Sequence, residues 1–275
     1  MTSPQGRPRR FPLVLDKLGP SSTGSAREVL MPQRHLREAT ADAARQFAPS
    51  GLGMDSAQVR QRMVQRLRAE GLHDERVLGA LATVLRHQFV DSALATQAYE
   101  DTSLPIGHGQ TISKPSVVGR MIALLFAGAT AAEQGQLGRV LEIGTGCGYQ
   151  AAVLALLSRQ LVSIERILPL HEKARANLAV GRQTQIRLVY GDGRLGYTSG
   201  APYDSIVAAA GGDDLPQAWL DQLAPGGRLV APMVAPGGRG QVLIVVDHKI
   251  EAGVSRFVRS THEAVLFVPL KSGVM

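Results

Sequence analysis

The sequence predicts an α/β fold in which a mostly parallel, seven-stranded sheet is covered by helices on both faces. From residue 139 onward, short apolar segments of strand length alternate with segments of helical period. These strand segments are apolar throughout, as expected of parallel strands buried between two helical layers. A glycine-rich turn joins the first strand to the helix that follows, which is typical of the ligand-binding edge of such sheets.

Three helices are predicted ahead of the sheet. The first has Asp55 or Ser56 as its candidate cap, carries apolar residues at helical spacing and is ended by Gly71. The second begins at His73. The third begins at Pro115, because proline suits the first turn of a helix, where its missing N–H is not needed.

The sheet itself follows from seven apolar segments, at residues 139–143, 161–165, 186–189, 205–209, 228–232, 242–246 and 265–268. Helices are predicted between them at residues 149–159, 168–180 and 216–223. The last two strands have no helical segment between them, and we therefore expect them to form an antiparallel end of the sheet.

The charge of the chain is uneven. The 275 residues contain 30 Lys+Arg and 23 Asp+Glu, a formal net charge of +7, of which +4 lies in residues 1–53. This segment is rich in Pro, Arg and Ser and lacks a sustained period, so we expect a flexible extension ahead of a domain at residues 54–275. Binding of polyanions by the extension is the functional alternative.

Composition excludes several classes of protein. Aromatic residues make up 4% of the chain, which disfavours a stacking surface for single-stranded nucleic acid, so no specific nucleic-acid partner is expected. The longest apolar stretch, near residues 117–132, is interrupted by Arg120 and is too short for a membrane span. Residues 1–53 lack the apolar core of a secretory signal. One cysteine, Cys147, suits a reducing compartment, and we expect a cytoplasmic protein.

The most informative local motif is VLEIGTGCGYQ, with Gly144, Gly146 and Gly148 between a strand and a helix. Glycines at a strand–helix turn allow a ligand to approach the backbone closely. The spacing is G-x-G-x-G and differs from the G-x-G-x-x-G of dinucleotide-binding proteins. A tight turn without a ligand is the simpler alternative.

Three carboxylates are placed to complete a cofactor site around this turn. Glu165 ends the second strand, where it can accept hydrogen bonds from both ribose hydroxyls. Asp192, followed by Gly193, comes after the third strand and can meet an adenine amino group, and Glu142 can face a cationic methionine group. Taken alone, each of Glu165 and Asp192 is more often a solvated strand-end residue. Together, at the ends of successive strands, these two outline an adenosine pocket that suits S-adenosylmethionine better than NAD.

Several longer motifs carry a family resemblance. They are DTSLPIGHGQTISKP at residues 101–115, LEIGTGCGYQ, VSIER, GDG, YDSIV and VLFVPL. Over about residues 54–272 the sequence resembles the protein-L-isoaspartate O-methyltransferase family, and LPIG followed by GQTISKP is the most specific part. The resemblance implies a Rossmann-like, S-adenosylmethionine-dependent methyltransferase fold with added N-terminal helices.

The resemblance also implies an activity. Family members transfer a methyl group from S-adenosylmethionine to the free α-carboxylate of L-isoaspartyl residues in damaged proteins and peptides. The ester then loses methanol through a succinimide, whose hydrolysis returns part of the product to normal aspartyl linkage. By the same resemblance, Ser113 is the catalytic residue that contacts the substrate carboxylate, and Gln110 and Thr111 bind substrate beside the cofactor. We expect a monomer.

The chemistry is compatible with this modest set of side chains. A carboxylate with a reference pKa of roughly 3.5–4 is already ionised near neutral pH, so no general base is needed. Orientation can then supply most of the acceleration. From the residues alone, Ser113 is also a candidate cap for the helix that begins at Pro115.

Some features depart from the family pattern. The segment AAAGGDDLP at residues 208–216 stands where the family has a proline-containing turn, and its two glycines predict a flexible edge of the pocket. Cys147 is interpreted as a small filler, with a redox role as the alternative. The seven histidines show no metal-ligand spacing, and no metal is expected. A methyltransferase acting on another carboxylate or hydroxyl group, and a dinucleotide oxidoreductase, are the competing enzyme hypotheses.

Overall fold

The computed structural model describes residues 57–179, 185–235 and 237–275. The predicted extension at residues 1–53 and the candidate caps Asp55 and Ser56 lie outside these ranges, as does Val180 at the predicted end of a helix. Within them, no helix has the length and apolar character that crossing a membrane requires.

The described part ahead of the main sheet consists of four α-helices, a hairpin and two short 3-10 helices, Arg86–Phe89 and Ser92–Gln97. In chain order the α-helices and the hairpin strands are α1 (Ala57–Ala69), α2 (Glu75–Thr83), β1 (Leu104–Gly107), β2 (Gln110–Ile112), α3 (Pro115–Phe126) and α4 (Ala129–Gln134). The start of α3 at Pro115 is confirmed. The hairpin β1–β2 and the helix α4 were not predicted.

Helix α2 begins two residues later than predicted. The carboxylate of Asp74 accepts hydrogen bonds from the backbone N–H groups of Arg76 and Val77, which fixes the first turn. The helix ends at Thr83, so the apolar residues that follow Thr83 lie outside α2.

Seven strands form the main sheet, namely β3 (Arg139–Ile143), β4 (Gln160–Glu165), β5 (Ile186–Tyr190), β6 (Tyr203–Ala208), β7 (Leu223–Val234), β8 (Gln241–Glu251) and β9 (Val254–Val265). Their spatial order is β5-β4-β3-β6-β7-β8-β9. The strands from β3 to β7 pair in parallel, and β8 and β9 pair antiparallel. The predicted sheet and its antiparallel end are confirmed.

The bounds predicted for the last strand, residues 265–268, were wrong. Strand β9 spans Val254–Val265, whereas residues 266–268 lie beyond it. The strand is an exposed edge with many polar residues, so it lacks the apolar run that identifies buried strands. The apolar segment after it serves packing, because Phe267 is buried in the core and Pro269 forms a bridge to Gly211.

Three helices connect the parallel strands, namely α5 (Tyr149–Ala155), α6 (Leu168–Ala179) and α7 (Gln217–Asp221). Helix α5 is shorter than the predicted 149–159, since Leu156 already ends it and is 45% exposed. Alternate residues of β3 face the two sides of the sheet: Val140 joins the core with α1, α2, α3 and α5, and Leu141 joins the core around Trp219 of α7.

The N-terminus of α3 receives its cap from a distant side chain. The residue before the helix, Lys114, makes no side-chain cap hydrogen bond. Instead the carboxylate of Asp101 accepts from the backbone N–H of Ser116 at 2.8 Å and from its hydroxyl at 2.7 Å. A carboxylate at this end of a helix also interacts favourably with the helix dipole.

We expect Asp101→Ala to lower the free energy of unfolding by about 1–2 kcal/mol, because it leaves the first turn of α3 without its acceptor. Urea unfolding followed by circular dichroism measures this change. Glu133→Ala, at an exposed position of α4, is the control and should change stability much less. Equal stability of the two variants would show that Asp101 does not stabilise the helix.

Candidate active site

A cavity of about 280 Å³ lies at the carboxyl ends of the central strands, between the glycine loop and the hairpin β1–β2. It brings together seven of the predicted site residues, namely Gln110, Thr111, Ser113, Gly144, Gly146, Glu165 and Gly193. Three others, Glu142, Gly148 and Asp192, do not line it. The residues that were predicted from two separate motifs therefore meet in one place.

The glycine loop has a backbone that requires glycine. Gly144, Gly146 and Gly148 have φ values of 90°, 56° and 93°, in the left-handed region that side chains disfavour. Gly148 also permits close packing, since a Cβ atom there would lie 3.1 Å from the side chain of Leu178. Gly148 therefore allows the start of α5 to pack closely against Leu178, and it does not line the cavity.

Glu165 holds this loop. Its Oε2 accepts a hydrogen bond from the backbone N–H of Gly146 at 2.8 Å, and its Oε1 accepts from that of Ile167 at 2.9 Å. Burial raises the pKa of the carboxyl, and these backbone hydrogen bonds oppose the shift. A carboxylate oxygen can accept more than one hydrogen bond, so Glu165 can still accept from a ligand in the cavity.

Glu142 lies beneath the loop and is fully buried. Its Oε2 accepts from the hydroxyl of Ser163 at 2.5 Å, and that hydroxyl is 2.6 Å from the hydroxyl of Thr145. Thr145 lines the cavity, whereas Glu142 does not. The chain of hydrogen bonds therefore connects the buried carboxyl to the cavity through two hydroxyl groups.

Gln150 is a polar wall of the cavity that the sequence did not single out. Its side chain is 7% exposed and lines the cavity. The same side chain interacts with the buried carboxyl of Glu142 and helps to oppose the rise of its pKa. Gln150 thus joins the cavity lining to the buried acid beneath the loop.

Asp192 is held by two backbone hydrogen bonds, as Glu165 is. Its Oδ1 accepts from the backbone N–H of Arg194 at 2.9 Å, and its Oδ2 accepts from that of Gly273 at 2.6 Å. Asp192 does not line the cavity, and its contact with an adenine amino group stays a prediction. Its neighbour Gly193 does line the cavity, and the Gly193 carbonyl accepts from the indole N–H of Trp219.

The tail at residues 271–275 forms part of the cavity wall. The Arg166 side chain donates to the carbonyl of Gly273 at 2.8 Å, and the backbone of Met275 pairs with Arg166 and Leu168. Lys271 and Met275 line the cavity. Local sequence patterns contained no signal for these contacts, because they depend on tertiary packing.

The hairpin β1–β2 covers the other side of the cavity. Its turn, Gly107 to Gly109, has positive φ values throughout, including 53° at His108. Two short apolar segments around a Gly-His-Gly turn are a hairpin signal that was present in the sequence. The ammonium group of Lys173 on α6 donates to the carbonyl of Ile106 at 3.2 Å, which ties the hairpin to the main domain.

Ser113 follows directly after this hairpin and lines the cavity. The helix-cap interpretation of Ser113 was wrong, since the capping position is Lys114 and the cap hydrogen bonds come from Asp101. Its hydroxyl is therefore not committed to the first turn of α3.

Backbone hydrogen bonds fix the segment at residues 208–216, which contains the two glycines Gly211 and Gly212. Gly211 donates to the carbonyl of Val268 and accepts from Leu270, and Gly212 pairs with the strand β7. A Cβ atom at Gly211 would collide with the side chain of Gln241. Glycine thus permits close packing here, and the expected flexible edge is not what the structure shows.

Cys147 is 2% exposed, and burial raises the pKa of its thiol. A neutral, buried thiol is unreactive, which favours the small-filler interpretation over a redox role. In the described ranges, His, Cys, Asp and Glu side chains form no cluster of three that could hold a metal ion.

Comparison with known proteins supports one family. The sequence matches the profile of Protein-L-isoaspartate(D-aspartate) O-methyltransferase (PCMT) over residues 57–275. A protein-L-isoaspartate O-methyltransferase of Methylibium petroleiphilum is 58% identical over 273 residues, which is 99% of each of the two chains.

Solved structures agree. A protein-L-isoaspartate O-methyltransferase is 25% identical, with a TM-score of 0.67 over 78% of this chain and 67% of its own. A Plasmodium falciparum protein described as a PCMT, in complex with S-adenosyl-L-homocysteine, is 22% identical, with a TM-score of 0.63 over 77% of this chain and 98% of its own. The methyltransferase fold implied by the resemblance is confirmed. The chain belongs to the protein-L-isoaspartate(D-aspartate) O-methyltransferase family.

Proposed function

We propose that this protein transfers a methyl group from S-adenosylmethionine to the free α-carboxylate of L-isoaspartyl residues in damaged proteins and peptides. The observation that carries the proposal is the shared cavity, in which Gln110, Thr111 and Ser113 face the glycine loop and Glu165. A site for an acceptor carboxylate thus adjoins a site for an adenosine-containing donor. Family membership supports both halves of this assignment.

The residues present fit S-adenosylmethionine. Glu165 has acceptor capacity for ribose hydroxyls, and the loop between Gly144 and Gly146 allows close approach of a ligand to the backbone. The amide of Gln150, which lines the cavity, can bond the polar groups of a methionine moiety. When bound, this cosubstrate supplies an electrophilic methyl group on a sulfonium.

The protein side of the reaction is positioning. The substrate carboxylate is ionised before it binds, so no side chain has to remove a proton from it. We propose that the Ser113 hydroxyl donates to one carboxylate oxygen and directs the other toward the methyl group. A neutral donor suits this role, since a stronger charge-assisted bond would stabilise the ground state of the nucleophile.

The resulting methyl ester is a better electrophile than the free carboxylate, because its carbonyl carbon carries methoxide, a better leaving group than the oxide of an ionised carboxylate. Attack by the neighbouring backbone nitrogen then expels methanol and gives a succinimide, whose hydrolysis restores part of the normal aspartyl linkage. These later steps need no residue of the protein, which agrees with a site equipped for methyl transfer alone.

We further propose that residues 54–275 form the methyltransferase domain and that the protein acts as a cytoplasmic monomer. The family match begins at residue 57, close to that boundary. The single cysteine is buried as a thiol, as suits a reducing compartment.

The proposal is tested with labelled S-adenosylmethionine and two peptides that differ only in an isoaspartyl or aspartyl linkage. We expect base-labile methyl ester on the isoaspartyl peptide alone. Equal labelling of the two peptides would favour another carboxylate substrate, and labelling of neither would reject the activity. Repeating the assay with residues 1–53 removed shows whether the extension contributes.

Ser113→Ala and Glu165→Ala should separate chemistry from cofactor binding. We expect Ser113→Ala to lower kcat by about tenfold or more, the loss of one orienting hydrogen bond, while the Kd for S-adenosylhomocysteine stays nearly constant. Glu165→Ala should raise that Kd by about tenfold or more. Peptide kinetics and calorimetry measure the two quantities. Normal turnover of Ser113→Ala would remove Ser113 from the mechanism.

The raised pKa of Glu142 predicts that the stability of the protein depends on pH. Burial raises its pKa from 4.5 to about 8, against the opposing hydrogen bond from Ser163. The folded protein therefore keeps this proton up to about pH 8, while the unfolded chain releases it near pH 4.5. The unfolded state binds fewer protons in this window, so the free energy of unfolding falls as the pH rises through it.

We expect Glu142→Gln to lack this loss, so that its stability relative to the wild type increases from pH 5 to pH 8. Urea unfolding at several pH values measures the difference, with Glu133→Gln as the exposed control. Parallel pH profiles of wild type and Glu142→Gln would contradict the raised pKa.

A further inference from the structure

Arg86 is a fully buried cation without a carboxylate partner. Its side chain has 0% relative exposure, and no ion pair within the described part of the chain includes it. Within the described part of the chain, its Nε and Nη1 atoms have no partner in good hydrogen-bond geometry, and the hydroxyl of Tyr149 is the polar side-chain group with which the guanidinium interacts. A guanidinium cannot relieve burial by losing a proton under ordinary conditions, so its location needs a structural explanation.

The remaining nitrogen makes two contacts that define the role of Arg86. Nη2 donates to the carbonyl of Ser113 at 2.8 Å and to that of Thr102 at 3.2 Å. These two residues flank the hairpin β1–β2, which spans residues 104–112. One nitrogen thus joins the two ends of the segment that carries Gln110 and Thr111. We call this pair of hydrogen bonds the Arg86 bridge.

The same guanidinium lies over the ring of Tyr149, with 4.6 Å between the guanidinium carbon and the ring centroid. Tyr149 is the first residue of α5, directly after the glycine loop, and it lines the cavity. Arg86 therefore contacts the acceptor side of the cavity through Ser113 and the donor side through Tyr149. A cation over an aromatic face is attracted to it, most strongly where water is excluded.

Arg86 itself does not line the cavity, so it acts on ligands through its neighbours. An apolar side chain would fill the space without the cost of a buried charge, but it would leave both carbonyls without this donor. The cost of burying Arg86 is therefore explained if the two ends of the hairpin must be held in register with the glycine loop.

We propose that Arg86 is a positioning residue for methyl transfer, whose bridge between Thr102 and Ser113 fixes the Ser113 hydroxyl against the donor side of the cavity. This inference rests on the proposed role of Ser113. It adds a residue that touches neither substrate nor cosubstrate.

The first test compares Arg86→Met with Arg86→Lys in peptide kinetics. Methionine fills a similar volume without donors, and we expect it to lower kcat/KM for the isoaspartyl peptide by about tenfold or more, with the Kd for S-adenosylhomocysteine nearly unchanged. Lysine retains an ammonium donor and should restore part of the loss. A fall of kcat/KM that lysine does not relieve would reject the bridge.

A double-mutant cycle shows whether Arg86 acts through Ser113. If it does, Arg86→Met should have little further effect in a Ser113→Ala background, because the group that it positions is gone. If the fold-changes in kcat/KM of the two single variants multiply in the double variant, Arg86 acts independently of Ser113, and the proposal is overturned. Where Arg86→Met does not fold, Arg86→Lys takes its place in the cycle.

Arg228→Met is the matched control. Arg228 is a partly buried arginine that donates to the carbonyl of Leu124 at 3.0 Å and pairs with Asp247, far from the hairpin in sequence. We expect this variant to lose stability but, when assayed well below its melting temperature, to keep the kcat/KM of the wild type.

Amide hydrogen exchange tests the bridge without any enzyme assay. Exchange in residues 104–112 should accelerate in Arg86→Met and remain at the wild-type rate in Ser113→Ala and Arg228→Met. Unchanged exchange in Arg86→Met would reject the bridge even if the activity is as proposed. Conversely, faster exchange in Arg86→Met, together with a wild-type protein that has no activity on isoaspartyl peptides, would reject the proposed function while leaving the bridge in place.

Discussion

The attachment of the glycine loop to the end of β4 is the contact on which the cavity depends. The carbonyl of Ile164 accepts from the backbone of Gly144, and the carboxylate of Glu165 accepts from Gly146 and Ile167. One strand end therefore fixes the two loops that leave β3 and β4. A residue without a carboxylate at position 165 would leave the Gly146 N–H without its acceptor, so loop geometry and cofactor contact are coupled in one side chain.

The parts of this site that the sequence predicted correctly are those determined by neighbouring residues. Strand β3 has the predicted bounds, because an apolar run ending at a glycine is a local signal. Ser113 and Glu165 were found through motifs, and the structure places both in the cavity. The edge strand β9 was missed since its polar residues resemble a loop when its pairing partner is unknown.

Asp192 shows that a carboxylate placed for a ligand can also hold the protein's own backbone. A carboxylate after a parallel strand is well placed for a ligand. Each of its oxygens also accepts one backbone hydrogen bond, from Arg194 and from Gly273, the second of which is 81 residues away in the chain. Local sequence contains no information about the contact with Gly273, because the approach of the tail depends on the contacts of Arg166 and Leu168.

Glu142 and Arg86, two side chains with 0% exposure near the cavity, respond differently to burial, and this difference explains their surroundings. Glu142 can take up a proton, and a single hydroxyl from Ser163 then suffices for one of its oxygens. Burial also lowers the pKa of Arg86, but a guanidinium remains protonated at physiological pH. It therefore needs permanent compensation, which the carbonyls of Thr102 and Ser113 and the ring of Tyr149 provide. Ser113 and Tyr149 line the cavity on its two sides, so compensating the charge requires both sides to be in place.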